Sequence, residues 1–127
     1  METNDIPFSG KLMYVAEDDD FSYLLIKEFL HNTGFIIKHA PNGSVLMDMV
    51  SQKVPDIILL DINMPIKSGL TVIKELRGQG ITIPVIAQTA YALPEERDVI
   101  LAAGCDEYIS KPIYKNLMLD LIQKVLK

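Results

Sequence analysis

The sequence Ile-Ile-Leu-Leu-Asp-Ile-Asn-Met-Pro, residues 57–65, decides the fold that we predict for this chain. Its first four residues are apolar and follow Pro55, which is the pattern of a short strand buried on both faces. Similar short apolar runs occupy 12–16, 35–37 and 83–87, and Glu-Tyr-Ile at 107–109 is predicted to be a short fifth strand. Strands buried on both faces are typical of a parallel sheet that helices cover on both sides.

A stretch with helical spacing of apolar residues follows each of the five predicted strands. These stretches lie at 21–29, 45–50, 70–76, 95–103 and 117–126. Asp19 or Asp20 is expected to cap the first helix, and Asn42 the second. Five alternations of strand and helix predict an α/β fold, a five-stranded parallel sheet that is doubly wound. The natural arrangement at this length is the flavodoxin-like (βα)5 fold with strand order 2-1-3-4-5.

The composition limits both the domain count and the class of partner. The chain has 127 residues, a net charge of -5, 49% hydrophobic residues and 23% charged residues. We expect one domain at 11–127, preceded by a tail or linker at 1–10. The acidic balance argues against direct nucleic-acid binding, and no apolar run approaches the ~20 residues that cross a membrane. With one cysteine and no signal-peptide pattern, a cytoplasmic location is expected.

Polar side chains follow the predicted strands where four of them end. Glu17 and Asp18 follow the first strand, Asp61 the third, Thr89 the fourth and Lys111 the fifth. In parallel α/β folds the carboxyl ends of the strands lie at one edge of the sheet, which is where such folds bind ligands. We therefore expect three carboxylates, one hydroxyl and one ammonium group to share a cleft.

Taken singly, each of these residues has an ordinary structural interpretation, such as a helix cap or a solvated surface charge. Taken together, they pose an electrostatic problem, because two carboxylates about 4 Å apart repel by about 4 kcal/mol at an effective dielectric constant near 20. Lys111 can neutralise one carboxylate, and Mg²⁺ with its oxygen ligands would neutralise the others. A phosphoryl group would in addition explain why Thr89 and Lys111 are there.

Four motifs make the chain similar to a known family. They are Val-Ala-Glu-Asp at 15–18, Leu-Leu-Asp-Ile-Asn-Met-Pro at 59–65, Thr-Ala at 89–90 and the segment 103–112. In this order and spacing they resemble the response-regulator receiver domain of two-component signalling, from Lys11 to Lys127. The resemblance implies phosphorelay signalling, with a histidine kinase or a histidine phosphotransfer protein as the partner.

The resemblance assigns the acidic residues to phosphorylation and to Mg²⁺ binding. Asp61 matches the phosphoacceptor, and Asp18 matches a direct metal ligand. Glu17 matches the acidic neighbour that acts through metal-bound water. Asn63 matches the position whose backbone carbonyl completes the protein ligands.

The resemblance also implies a switch. Thr89 matches the hydroxyl that closes on the phosphoryl group, Lys111 the cation that pairs with it, and Tyr108 the aromatic residue that turns inward. These movements are expected to change the face formed by the fourth helix, fifth strand and fifth helix, through which a homodimer can form. Pro112 matches the proline that follows a cis bond in the family.

Several positions differ from common members of the family. Gln88 stands where many relatives have an apolar residue, and a bulky Tyr91 is expected to slow the approach of water to the phosphoryl group. Glu17-Asp18 and Ser-Lys-Pro-Ile at 110–113 resemble receivers of hybrid sensor histidine kinases. A free-standing receiver remains the alternative.

Two other functions fit parts of this sequence. An aspartate that follows a strand is also the nucleophile of haloacid-dehalogenase phosphatases, but these usually have a second aspartate where this chain has Asn63. A pseudo-receiver that binds partners without phosphorylation would not need the complete acidic, threonine and lysine set. We therefore expect a signalling domain that at most catalyses its own phosphorylation and dephosphorylation. His31 and His39 are expected to lie away from the acidic site, and Cys105 to pack in the core.

Overall fold

The computed structural model describes residues 7–90 and 93–126, in which five parallel strands form one sheet in the order β2-β1-β3-β4-β5. This order is the predicted one. The strands are β1 (Leu12–Ala16), β2 (Ile36–Ala40), β3 (Ile57–Asp61), β4 (Val85–Thr89) and β5 (Glu107–Ser110). All five residues of β3 and of β4 are buried, as expected for central strands with helices on both faces.

Five helices alternate with the strands and cover both faces of the sheet. They are α1 (Asp20–Phe29), α2 (Gly43–Gln52), α3 (Gly69–Gly78), α4 (Pro94–Ala103) and α5 (Lys115–Val125). The cores on the two faces are separate: α2, α3 and α4 pack on one face, and α1 and α5 on the other. The predicted doubly wound α/β fold is confirmed.

Two strands lie later in the chain than the sequence predicted. The fourth strand was expected at 83–87 and is observed at 85–89, because Pro84 has no N–H to donate to the ladder. The second was expected at 35–37 and is observed at 36–40. It is an edge strand, so its outward-facing residues need not be apolar, and the apolar run ends before the strand does.

The predicted helix caps are present. The Asp19 carboxylate accepts a hydrogen bond from the Ser22 N–H at 3.2 Å, and Asn42 Oδ1 accepts one from the Val45 N–H at 2.9 Å. Each cap satisfies a backbone donor that the first turn of a helix leaves without a partner. The cap at Asp19 begins α1 directly after the acidic residues that end β1.

The predicted tail or linker, 1–10, is described only from Pro7 onward. Phe8 is buried and stacks on Phe35, with 4.6 Å between the ring centroids. Its N–H donates to the Thr33 carbonyl at 2.9 Å. Phe8 therefore contributes to the domain, and a boundary after Gly10 stays a prediction.

Gly69, the first residue of α3, lets the helix approach the end of β3. A Cβ at this position would lie 2.6 Å from the Asp61 carbonyl oxygen and 2.7 Å from the Ile62 Cα, both of which are backbone atoms. No side-chain adjustment can relieve such contacts. We expect Gly69→Ala to lower the free energy of unfolding by about 1–3 kcal/mol, the usual cost of overpacking. Denaturant unfolding measures this free energy.

Gly78, at the other end of the same helix, provides the matched control. A Cβ there meets nothing within 4 Å, so Gly78→Ala should be neutral or slightly stabilising. Equal unfolding midpoints for the two variants would show that steric crowding at residue 69 does not affect the stability of the domain.

Candidate functional site

Two neighbouring central strands, β1 and β3, bring three carboxylates together at the edge of the sheet where their carboxyl ends lie. Glu17 and Asp18 follow β1, and Asp61 is the last residue of β3. Each has a carboxylate oxygen within 4.8 Å of those of the other two. Glu17 and Asp61 are buried, whereas Asp18 is exposed and forms the solvent side of the cluster.

Lys111 reaches this cluster from the loop after β5. Its Nζ lies 3.0 Å from Asp61 Oδ2 and 3.3 Å from Glu17 Oε1. Its backbone N–H donates to the Thr89 carbonyl at 2.8 Å, which fixes the loop to the end of β4. The Lys111–Pro112 peptide bond is cis, as in the family that the sequence resembles.

The charges in the cluster do not balance when all three carboxylates are ionised, because within residues 7–90 and 93–126 Lys111 is the only cation in contact with them. Burial, together with hydrogen bonding to Asp61 and the charge of Asp61, raises the pKa of Glu17 to about 7. Excess negative charge on closely spaced carboxylate oxygens suits a small divalent cation such as Mg²⁺. The donor set therefore fits the predicted metal.

The ammonium group of Lys111 is held in its charged form. Burial alone would lower the pKa of Lys111, but the hydrogen bond to Asp61 and the charges of Asp61 and Glu17 outweigh it and raise the pKa above its ordinary value. A fixed positive charge therefore lies against the Asp61 carboxylate. A charge at this place can stabilise further negative charge on the same carboxylate.

The loop that follows β3 holds Asp61 in place. The Asn63 N–H donates to Asp61 Oδ1 at 2.9 Å, so the two Asp61 oxygens have different partners, a backbone amide and an ammonium group. The Asn63 backbone is therefore beside the carboxylate, while a role for its carbonyl as a metal ligand stays a prediction. Glu17 Oε2 is held in a similar way, by the Asp19 N–H at 3.3 Å.

Thr89 is buried at the end of β4, and its hydroxyl group faces α4. Its Oγ1 donates a hydrogen bond to Glu96 Oε1. The sequence predicts that this hydroxyl joins the acidic cluster, and β4 does bring Thr89 to the same edge of the sheet. To act on a group bound at Asp61, however, the hydroxyl must exchange Glu96 for a new partner.

Tyr108 lies on β5, next to β4, with its register partner at Ala87. Its side chain is half-buried, and the Arg97 guanidinium of α4 lies over the ring, 5.8 Å from the centroid. The ring thus touches the same helix that holds the Thr89 hydroxyl. A movement of α4 would therefore change the contacts of both Thr89 and Tyr108.

His39 is nearer to the site than the sequence predicted. Its Nε2 donates to the Glu17 backbone carbonyl at 2.7 Å, and its ring stacks on Tyr23 with 3.9 Å between centroids. The expectation that His39 lies away from the acidic site is therefore wrong. The signal was the strand order, since β1 and β2 are neighbours and Val15 pairs with His39.

Three further expectations concern parts of the chain outside the cluster. Cys105 is buried in the core, and burial raises the pKa of its thiol to about 12, so it stays protonated. Tyr91 lies outside the described residues. Among the helices that the structure describes, none combines the length and the apolar character that a membrane span requires.

The comparison with known families agrees with this geometry. A family model described as the response regulator receiver domain matches residues 13–123. Among curated relatives, the polar-differentiation response regulator DivK of Brucella anthropi is 34% identical over 118 residues, covering 91% of this chain and 96% of that protein. Hybrid signal transduction histidine kinase I of Dictyostelium discoideum is 38% identical over 117 residues, and the match covers 85% of this chain but only 7% of that kinase.

A solved structure shows the same fold. It is the receiver domain of sensor histidine kinase PA1611 from Pseudomonas aeruginosa, with a magnesium ion coordinated in its active site cleft. The two structures match with a TM-score of 0.84 and 26% identity, over 93% of this chain and 98% of that one.

Proposed function

Because this chain belongs to the response regulator receiver domain family and is thus a domain of two-component signalling, we propose that it accepts a phosphoryl group on Asp61. The observation that carries the proposal is the environment of this carboxylate. Asp61 is buried at the end of β3, with Lys111 Nζ at 3.0 Å and two further acidic side chains beside it. Such a carboxylate is held in one orientation. The ammonium group beside it can neutralise the negative charge of an incoming phosphoryl group.

The proposed reaction is the transfer of a phosphoryl group from a phosphohistidine. An Asp61 carboxylate oxygen attacks phosphorus, the new O–P bond forms and the N–P bond breaks. The imidazole leaves with the electron pair of that bond and takes up a proton. Hydrolysis of the phosphorylated Asp61 ends the signal. Water attacks phosphorus, the O–P bond breaks and inorganic phosphate is released, which restores the Asp61 carboxylate. In both steps the reacting group of this domain is the Asp61 side chain.

Glu17, Asp18 and Asp61, with the Asn63 carbonyl, are the residues that would hold Mg²⁺. When bound there, Mg²⁺ supplies charge neutralisation for the phosphoryl oxygens. Lys111 provides the second positive contact and is already placed for it. Asp18 is the exposed member of the three carboxylates and lies where a hydrated ion would enter.

The proposed switch connects Thr89 to Tyr108 through α4. The Thr89 hydroxyl gives up Glu96 for a phosphoryl oxygen, which removes one contact that holds α4. Tyr108 then turns into the space that Thr89 leaves, and the α4-β5-α5 face changes. Two apolar side chains at the start of α5 are exposed, Tyr114 at 68% and Leu117 at 48%, which suits a phosphorylation-dependent homodimer.

The proposed partners are a histidine kinase or a histidine phosphotransfer protein, in the cytoplasm. We further propose that 11–127 form the receiver domain and that 1–10 are an N-terminal tail or linker. The alternatives have less support. Asn63 cannot act as the general acid of a phosphatase, and a pseudo-receiver would not require the contacts of Lys111 with Asp61 and Glu17.

The proposed function is tested by phosphorylating the chain with acetyl phosphate. We expect incorporation with Mg²⁺ and little with a chelator. The product should be labile to hydroxylamine, as an acyl phosphate is, and borohydride reduction followed by peptide mass spectrometry should locate it at residue 61. Phosphate found on a histidine, a serine or another aspartate would refute the assignment.

A further inference from the structure

The imidazole of His39 lies where the pairing of β1 with β2 ends. The register of the two strands ends at Ala16 and Ala40, and the Glu17 N–H still donates to the Ala40 carbonyl at 3.0 Å. Beyond Ala40 the chain leaves the sheet, and Asn42 is already the N-cap of α2. The Glu17 carbonyl accepts a hydrogen bond from His39 Nε2 at 2.7 Å. A side chain of β2 therefore provides the donor at the end of the strand pair.

The Glu17 carbonyl belongs to the peptide unit that leads into Asp18. The atoms of a peptide unit are coplanar, so a hydrogen bond to this carbonyl also fixes the direction in which the backbone enters Asp18. Glu17 is 0% exposed, so a protein donor must satisfy the carbonyl. Asp18 is exposed, so the direction of its side chain depends on this backbone more than on packing. The bond from His39 therefore acts on both acidic residues that follow β1.

Tyr23 holds the imidazole in the orientation that this hydrogen bond requires. The two rings stack with 3.9 Å between their centroids and 6° between their planes. Tyr23 lies in the first turns of α1, the helix that Asp19 caps directly after the acidic residues. The ring of His39 is thus fixed by β2 on its backbone side and by α1 on its face. A donor that is held by packing in this way orients its acceptor more sharply than a free side chain does.

We propose that His39 is a positioning residue for the Mg²⁺ site, because its Nε2–H orients the peptide between Glu17 and Asp18 and thereby the two carboxylates that join Asp61. His39 supplies no ligand of its own. The inference rests on the metal site of the proposed function. Groups that orient metal ligands typically contribute about 10–100-fold to metal affinity. His39 acts through the backbone, so we expect an effect at the lower end of this range.

The test is a titration of the full chain with Mg²⁺, followed by the ¹H–¹⁵N resonances of the backbone. His39→Phe keeps a ring that stacks on Tyr23 but has no N–H, and it should raise the Mg²⁺ dissociation constant about tenfold. His39→Gln has an amide N–H at a similar distance from the backbone, so it should keep most of the wild-type affinity. His31→Phe, the same substitution at an exposed position after α1, should leave the dissociation constant unchanged.

Urea unfolding with a chelator separates positioning from stability. A histidine that only stabilises the fold would lower the unfolding midpoint and leave the Mg²⁺ dissociation constant of the folded protein unchanged. If His39→Phe does not fold, Tyr23→Leu replaces it, since it keeps the donor but releases the ring, and it should also weaken Mg²⁺ binding.

Three results would overturn the proposal. In the first, the variant used in place of the wild type binds Mg²⁺ equally well. In the second, His39→Gln binds Mg²⁺ as weakly as His39→Phe, which would show that the N–H has no part in the effect. In the third, the wild type binds no Mg²⁺, which would refute the proposed metal site as well. The first two leave the proposed function intact, so the two failures can be told apart.

Discussion

Asp61→Asn abolishes phosphoryl incorporation from acetyl phosphate, with a loss of at least about 100-fold, because an amide has no anionic oxygen to attack phosphorus. The substitution preserves the shape of the side chain and leaves an acceptor for the Asn63 N–H, which now meets Asp61 Oδ1 at 2.9 Å. The fold should therefore persist, which circular dichroism checks. Incorporation is measured by intact mass in the presence of Mg²⁺.

Asp48→Asn is the matched control for this experiment. Asp48 is exposed on α2, so the same chemical change there should leave incorporation at the wild-type level. An Asp61→Asn protein that still gained a full hydroxylamine-labile phosphate would mean that another carboxylate is the acceptor. Asp18 would then be the next candidate, since it is the exposed member of the cluster.

The sequence predicts the parts of this site that depend on strand order. Asp61 follows four apolar residues that only a central strand accommodates, and Glu17 follows another such run. When two strands are parallel and adjacent, their carboxyl ends lie at the same edge of the sheet. The proximity of the carboxylates can therefore be predicted without knowing the side-chain conformations. The contact of Lys111 with Asp61 follows from the same argument for β5 and its loop.

What the sequence did not predict depends on side-chain direction and on loops. The Thr89 hydroxyl bonds to Glu96, and its direction is set by where α4 lies, which no periodicity specifies. Arg77 is a second case. A charged residue near the end of α3 indicates a solvated position, yet its guanidinium donates to backbone carbonyls of Ile81 and Gly104 and pairs with Asp106 at 3.1 Å. Such partners, up to 29 residues away, are known only once the chain is folded.

Glu17 makes the stability of the metal-free domain fall as the pH rises from about 4.5 to 7. The pKa of Glu17 is raised from 4.5 to about 7, first by burial and then by Asp61. Between these values the unfolded chain has lost the proton and the folded chain keeps it, so each increase in pH favours unfolding. The contribution is present in full below pH 4.5 and is lost as the pH passes 7. Its size is about 3 kcal/mol, from 1.36 kcal/mol per pH unit.

The other groups with shifted pKa values titrate outside this range. The pKa of Asp19 is lowered from 3.8 through its hydrogen bonds with Ser22, and the pKa of Lys111 is raised from 10.5. Burial raises the pKa values of Tyr14 and Tyr23 above 10.0, and that of Cys105 to about 12. Among the described groups whose pKa is shifted, Glu17 is therefore the one that changes its charge between pH 5 and 8.

Glu17→Gln isolates this contribution, because glutamine resembles the protonated carboxyl at every pH. With a chelator present, we expect the variant and the wild type to have similar free energies of unfolding at pH 5. At pH 8 the variant should be more stable by roughly 2–3 kcal/mol. Urea unfolding at the two pH values measures the difference, and parallel pH profiles for the two proteins would exclude Glu17 as its source.

Adding Mg²⁺ should reduce the difference in stability between the two proteins at pH 8. A cation that binds only the folded state stabilises it by mass action, and it binds best where Glu17 is ionised beside Asp18 and Asp61. Mg²⁺ should therefore stabilise the wild type more at pH 8 than at pH 5, and it should stabilise Glu17→Gln less than the wild type. If Mg²⁺ stabilised the wild type equally at both pH values, the negative charge of Glu17 would have no part in holding the ion, and the excess charge of the cluster would need another explanation.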